Sequence, residues 1–145
     1  MMKQNGQVNN TSVIESGFRQ FIGMTVRELT ANQAVMELTI GPQHRNSHGS
    51  LHGGVLTSII DNSGGLAGCY CPASGNVRKA VTLSLTTSFI ASVSSGVIQA
   101  IGHKRSGGRR IFVSTIEVTD EAGNLIALGE ATYRYVDKKL VPCNP

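Results

Sequence analysis

One helix-length segment, from Gly54 to about Cys71, is followed only by strand-like stretches with short breaks, and that order leaves few folds open. Within the segment Val55, Ile59 and Leu66, with Leu56, Ile60 and Ala67 beside them, recur at helical spacing. A turn-rich connection over Pro72 to Arg78 leads into four strand-like stretches: Ala80 to Ile90, Val97 to His103, Arg110 to Val118 and Leu125 to Val136. Ser94-Ser95-Gly96, Ser106-Gly107-Gly108 and Asp120 to Asn124 separate them. Short connections between successive strands make antiparallel hairpins, and a lone long helix has to be covered by the sheet they form. Upstream, Val26, Leu29 and Ala34 to Ile40 flank Asn32-Gln33 as two further strands joined by a tight turn, closed off by Pro42. Before them Thr11 or Ser12, with Glu15 completing a capping box, starts a short helix through Phe18 to Phe21 that Gly23 ends. The fold class is α+β, an antiparallel sheet wrapped around one long central helix. Residues 1–10 are expected to be a disordered leader, and residues 11–140 a single domain.

The other side of the helix carries the chemical information. Gly54, Thr57, Ser58, Asp61, Gly64, Gly65 and Gly68 follow i, i+3, i+4, i+7 spacing, a stripe of small residues with one carboxylate. A glycine inside a helix costs about 1 kcal/mol relative to alanine, so three of them on one stripe imply close approach of another backbone or a ligand. The stretch Pro42 to Leu51 reads as a loop feeding the helix. The Gly53-Gly54 pair at the helix start leaves backbone N–H groups unpaired at the positive end of the dipole, a place for an anion or a developing oxyanion. At a rise of about 1.5 Å per residue, Asp61 lies about 12 Å along the axis from Gly53, too far for both to flank one reacting carbon within one chain. Antiparallel helices in a symmetric dimer would bring Gly53 of one chain beside Asp61 of the other.

The formal net charge is +4, with Lys104, Arg105, Arg109 and Arg110 clustered around one short loop. Three tyrosines, four phenylalanines and no tryptophan leave little for base stacking, so a small phosphorylated ligand fits this cluster better than nucleic acid. No apolar run reaches the roughly 18–20 residues that span a bilayer, and no membrane role is expected. The polar Met1 to Asn10 lacks the apolar core of a signal peptide, which makes the cytoplasm the default location. Cys69, Cys71 and Cys143 suit neither a zinc ribbon nor an even disulfide framework and read as free thiols. His44, His48 and His52 are spaced by four, as metal ligands on a helix would be. The intervening Asn46, Gly49 and Gly53-Gly54 argue against a helix there; no metal site is expected, and His52 is read as fixing the loop by hydrogen bonds.

Taken together, Asn46, His52-Gly53-Gly54, Asp61 and the Gly107-Gly108-Arg109-Arg110 segment resemble hotdog-fold acyl-CoA thioesterases of the phenylacetate-degradation (PaaI-like) type, over roughly Gly17 to Tyr135. The resemblance implies that the Gly53 N–H polarises the thioester carbonyl and that Asn46 orients the acyl group or a water. It implies Asp61, from the opposite subunit, as general base or as nucleophile, and it groups His52 at the helix entrance with Gly53, Asn46, Asp61 and Thr82 as the catalytic set. Thr82 matches the place of a hydroxyl that positions the water, although Ser84 or Thr86 also remains open. Thr82 and Ser84 share a face by simple alternation, with Val81 and Leu83 on the other. Gly54, Ser84 and the cations Lys104, Arg105, Arg109 and Arg110 form the expected substrate and CoA contacts, because Arg pairs well with phosphate oxygens. The resemblance also implies a homodimer, assembled as a dimer of dimers. No cofactor is expected, since coenzyme A belongs to the substrate and a thioester needs only a carboxylate, a fixed water and an oxyanion site. The acyl group is expected to be aromatic, phenylacetyl or hydroxybenzoyl, with medium-chain fatty acyl groups second. Two other classes fit a hotdog domain: a dehydratase, which would pair a histidine with an acid, and a non-catalytic acyl-CoA or nucleotide binder. Thiol release from an acyl-CoA separates hydrolysis from both.

Overall fold

The computed structural model describes residues 17–136 of the 145. The expected leader, the Thr11/Ser12/Glu15 cap and both outer limits of the expected domain lie outside the described residues. In chain order the elements are α1 (Gly17–Ile22), β1 (Thr25–Thr30), β2 (Gln33–Thr39), a 3-10 turn (Pro42–His44) and α2 (Gly53–Cys69). A short pair follows, β3 (Tyr70–Cys71) and β4 (Asn76–Val77), then β5 (Ala80–Phe89), β6 (Val97–Gly107), β7 (Ile111–Thr119) and β8 (Leu125–Tyr135). Six strands make one sheet in the order β1-β2-β6-β7-β8-β5, every neighbouring pair antiparallel, with α2 packed on it. This is the α+β architecture expected from the sequence.

Intrinsic propensity does not explain α2. Five of its 17 residues are glycine, and Val55, Thr57, Ile59 and Ile60 are β-branched. Tertiary burial stabilises it instead: Val55, Leu56, Ile59, Ile60 and Leu66 are buried, at about 1.5–3 kcal/mol per side chain. Small residues line the sheet beneath it, with Ala100, Ala127 and Ala131 fully covered. A Cβ on Gly102 of β6 would stand 2.5 Å from the Ser63 carbonyl oxygen, so that glycine is what lets the helix backbone touch the sheet backbone. Larger inward residues fill the ends, Met36, Leu38 and Ile98 on one side and Phe112, Tyr133 and Tyr135 around the C-terminal half of α2.

Those aromatics correct one expectation. Gly64 and Gly68 do not present a free small surface to a partner; an added Cβ would run into the Tyr133 hydroxyl and Ile116 at Gly64, and into the Phe112 ring at Gly68. The glycines are notches for aromatic rings of their own sheet. Three sheet side chains then bond to helix carbonyls: Tyr133 Oη donates to Asp61 O (2.8 Å), Ser114 Oγ to Gly64 O (2.9 Å) and Tyr135 Oη to Gly68 O (2.6 Å).

Two smaller differences have simple causes. A bulge between Lys104 and Ser106 keeps β6 paired with β7 as far as Gly107, so the expected Ser106-Gly107-Gly108 break shrinks to a turn beyond it. Cys69 is a buried free thiol, but Cys71 is disulfide-bonded, so the reading of three free thiols fails there; an odd count excludes a full framework, not a single pair. Among the described residues no helix is long and apolar enough to cross a membrane.

Candidate active site

Asp61 sits on α2 with its carboxylate half-buried, facing the start of β5. Thr82 Oγ1 donates to Asp61 Oδ1 at 2.7 Å, which brings together the carboxylate and one of the three hydroxyls left open by the sequence. Both line a cleft of about 440 Å³ with Arg19, Asn62, Arg78, Lys79 and Tyr133. Arg19, on α1, donates through Nε to Asn62 Oδ1. Burial pulls its guanidinium below the usual arginine range, against the opposing pull of the Asp61 carboxylate.

The other expected half of the site lies elsewhere. Gly53 is the first residue of α2 and its N–H has no acceptor among the described residues. It lines a separate cleft of about 330 Å³ with Asn46, Ser50, Leu56, Phe89 and Ile90. Asn46 Oδ1 accepts from His48 N (2.9 Å) and Ser50 N (3.2 Å), which folds the loop and holds its side chain at that cleft. His52 is the helix N-cap, its Nδ1 accepting from Gly54 N at 2.8 Å, the loop-fixing role read for it from sequence. His44 is likewise a fastener, with Nδ1 on Gly41 N (2.9 Å) and Nε2 on Ile22 O (2.6 Å).

The model of the family described as "Thioesterase superfamily" matches residues 48–127, the span that holds Gly53, Asp61 and Thr82. The chain belongs to the thioesterase superfamily. It is 25% identical over 117 residues to acyl-coenzyme A thioesterase 13 of Homo sapiens, covering 79% of this chain and 82% of that protein. Two solved structures share its fold: the Escherichia coli PaaI protein from the phenylacetic acid degradation operon, with TM-score 0.78 and 21% identity over 90% of this chain and 92% of that one, and a Haemophilus influenzae thioesterase, with TM-score 0.80 and 21% identity over 96% of each. The sheet wrapped on one helix is thus the hotdog fold, and the protein is a thioester hydrolase.

Three expected contacts of this thioesterase need correction. Ser84 does not share a face with Thr82. A bulge at Leu83 sets Thr82 opposite Tyr133 and Ser84 opposite Thr132, so inward and outward positions swap and Ser84 and Thr86 point away from α2. Gly54 cannot offer its N–H to substrate, since the His52 ring takes it. The cationic cluster is split: Lys104 turns inward, its Nζ 3.5 Å from Tyr135 Oη and 5.7 Å from the Phe112 ring centroid, while Arg105 bonds Thr115 Oγ1 at 2.6 Å. Burial, with the like charge of Arg78, holds the Lys104 ammonium below the usual lysine range. Arg109 and Arg110 remain exposed in the turn, and none of the four lines either cleft.

The sequence reading missed Arg19, Phe89 and Tyr133. Arg19 carries no signal, being one cation on a six-residue helix. The Phe89 ring lies 3.2 Å from where a Gly53 Cβ would be, and it faces inward only because of the bulge at Leu83. Tyr133 alternates inward with Ala131 and Tyr135 on β8, which marks it as core and conceals its bond to Asp61.

Proposed function

We propose that this thioesterase hydrolyses acyl-CoA thioesters in a site completed by a second copy of the chain. Asp61 of one subunit activates a water, or attacks the carbonyl as nucleophile, while the Gly53 N–H of the other polarises the thioester oxygen. The observation that carries this reading is the separation of the two halves: the Asp61–Thr82 pair and the unpartnered Gly53 N–H line different clefts of one chain, each incomplete alone. A two-fold axis relating two α2 helices would join one cleft to its counterpart's complement twice over. Thr82 holds the carboxylate oxygen and orients the water, and Asn46 presents its side chain to the acyl group on the Gly53 side. Arg109 and Arg110, exposed outside the clefts, would bind CoA phosphates only across a subunit boundary, and a dimer of dimers is the assembly in which this pair would meet a neighbouring site. The chemistry requires no cofactor, because the thiolate leaves readily. The similarity to human acyl-coenzyme A thioesterase 13 supports CoA as the thiol, and the fold shared with PaaI supports aromatic acyl groups ahead of medium-chain ones.

Thiol release from a panel of aryl-acetyl, hydroxybenzoyl and straight-chain acyl-CoAs, followed with a thiol reagent, tests the reading when wild type is compared with Asp61→Asn. Asparagine keeps the size and can still accept from Thr82, but can neither take a proton from water nor attack. The expected loss in kcat is at least about 100-fold with KM little changed. Near-wild-type turnover by folded Asp61→Asn would remove the carboxylate from the mechanism.

A further inference from the structure

We propose that Tyr133 is a positioning residue for Asp61, acting from β8 through the helix main chain; the inference rests on the catalytic reading of Asp61 above. The Tyr133 hydroxyl donates to the Asp61 carbonyl at 2.8 Å, the carbonyl that an α-helix pairs with the N–H four residues on. One buried phenol therefore grips the turn that begins with the carboxylate residue. Gly64 makes this approach possible: a Cβ there would stand 2.5 Å from the hydroxyl oxygen, whereas one on Gly65 would only touch the ring at 3.4 Å. The ring itself is fixed by its stack on Phe112, with centroids 4.9 Å apart, and it cannot follow a drifting helix. Burial first, then the negative charge of Asp61, pushes the phenol above the usual tyrosine range, so it stays a donor throughout the working pH range.

The geometric consequence falls on the Asp61–Thr82 bond. Thr82 and Tyr133 are directly paired across β5 and β8, so the hydroxyl that holds the carboxylate and the hydroxyl that holds the Asp61 main chain come from one cross-strand pair. Together they fix the residue at both its backbone and its side chain relative to the same two strands. A carboxylate meant to meet a carbonyl held by another subunit needs such a fixed reach, because an error of about 1 Å in placing a base is costly in rate. Tyr135 provides the comparison within the same molecule. Its hydroxyl makes the equivalent bond to the Gly68 carbonyl at 2.6 Å, near the end of α2 and away from the carboxylate.

The test compares Tyr133→Phe with Tyr135→Phe, each assayed for kcat, KM and thermal midpoint with the best acyl-CoA. Tyr133→Phe is expected to lose about tenfold in kcat with KM within twofold, whereas Tyr135→Phe loses stability and keeps its kcat. In an Asp61→Asn background, adding Tyr133→Phe is expected to leave the residual kcat unchanged, since the phenol acts only through the carboxylate. Gly64→Ala offers a route that retains the phenol, its methyl displacing the hydroxyl, and the same split of low kcat and unchanged KM is expected. Equal kcat in wild type, Tyr133→Phe and Gly64→Ala, with Asp61→Asn inactive, would overturn the positioning role and leave the catalytic reading standing. An active Asp61→Asn would sink that reading itself.

Discussion

Thr82 and Ser84 differ by two positions in the chain and, because of one extra residue, by the face they present. Thr82→Val removes the donor that meets Asp61 Oδ1 while keeping the branched shape, and it is expected to lower kcat by about 10-fold to 100-fold. Ser84→Ala, on the outward face opposite Thr132, is expected to leave kcat and KM within twofold of wild type. Steady-state kinetics on the two variants decide it, and a larger loss at Ser84 would mean that the β5 register is wrong. The same pair shows what a sequence can and cannot carry. Asp61 and Gly53 were legible because a carboxylate on a glycine-bearing helix runs against helix propensity, and a glycine pair at the helix start marks an anion site by local chemistry alone. Ser84 was misplaced because a bulge is set by pairing with β8, and the regular run from Val81 to Thr87 contains no glycine or proline to announce it.

The glycines of the helix were visible as an anomaly, but their partners were not, and the sheet glycines gave no signal at all. The distribution of the helix glycines says that something approaches closely; only the fold shows that Gly64 and Gly68 admit Tyr133, Ile116 and Phe112, and that Gly102 of β6 admits the helix backbone itself. Gly102 and Gly129 make a matched pair for measurement, both inward on strands under α2. An added Cβ meets the Ser63 carbonyl group at Gly102 but the Ile60 side chain at Gly129, and a side chain can rotate where a helix backbone cannot. Gly102→Ala is therefore expected to cost about 2–3 kcal/mol by overpacking, and Gly129→Ala about 1 kcal/mol, once the small gain from replacing a strand glycine is counted. Urea unfolding at fixed protein concentration reads both, and the order of the two midpoints is the decisive quantity. Equal losses would mean that α2 can lift off β6 freely.

Neighbouring strands β6, β7 and β8 follow each other through short turns and were readable as hairpins, whereas the pairing of β2 with β6 and of β5 with β8 joins segments far apart in the chain and leaves no local trace. One result of that topology is that β5 carries Thr82 at the sheet edge beside Asp61, while its far end carries Phe89 to Gly53 at the other cleft. Two half-sites on one chain make a prediction that only an assembly can satisfy. Gly53→Pro deletes the N–H at the first helical position, where proline is well tolerated, and His52 before it already has the extended backbone (φ −67°, ψ 134°) that proline demands. The exposed Phe89 ring has room to shift from the added atoms. Gly53→Pro alone is expected to fold and to lose about 100-fold to 1000-fold in kcat, the usual loss for one oxyanion donor. Asp61→Asn alone is expected to lose at least about 100-fold. If each site takes Gly53 from one subunit and Asp61 from the other, a heterodimer of the two variants holds one intact site and one doubly damaged site. Random reassociation makes half the dimers mixed, so unfolding and refolding the two inactive proteins together in equal amounts should restore about a quarter of wild-type activity per subunit. Wild-type KM in the mixture would show that the recovered sites are intact ones. Failure of the mixture to regain activity, under conditions where wild type refolds alone and tagged subunits demonstrably exchange, would place both halves of the site in a single chain.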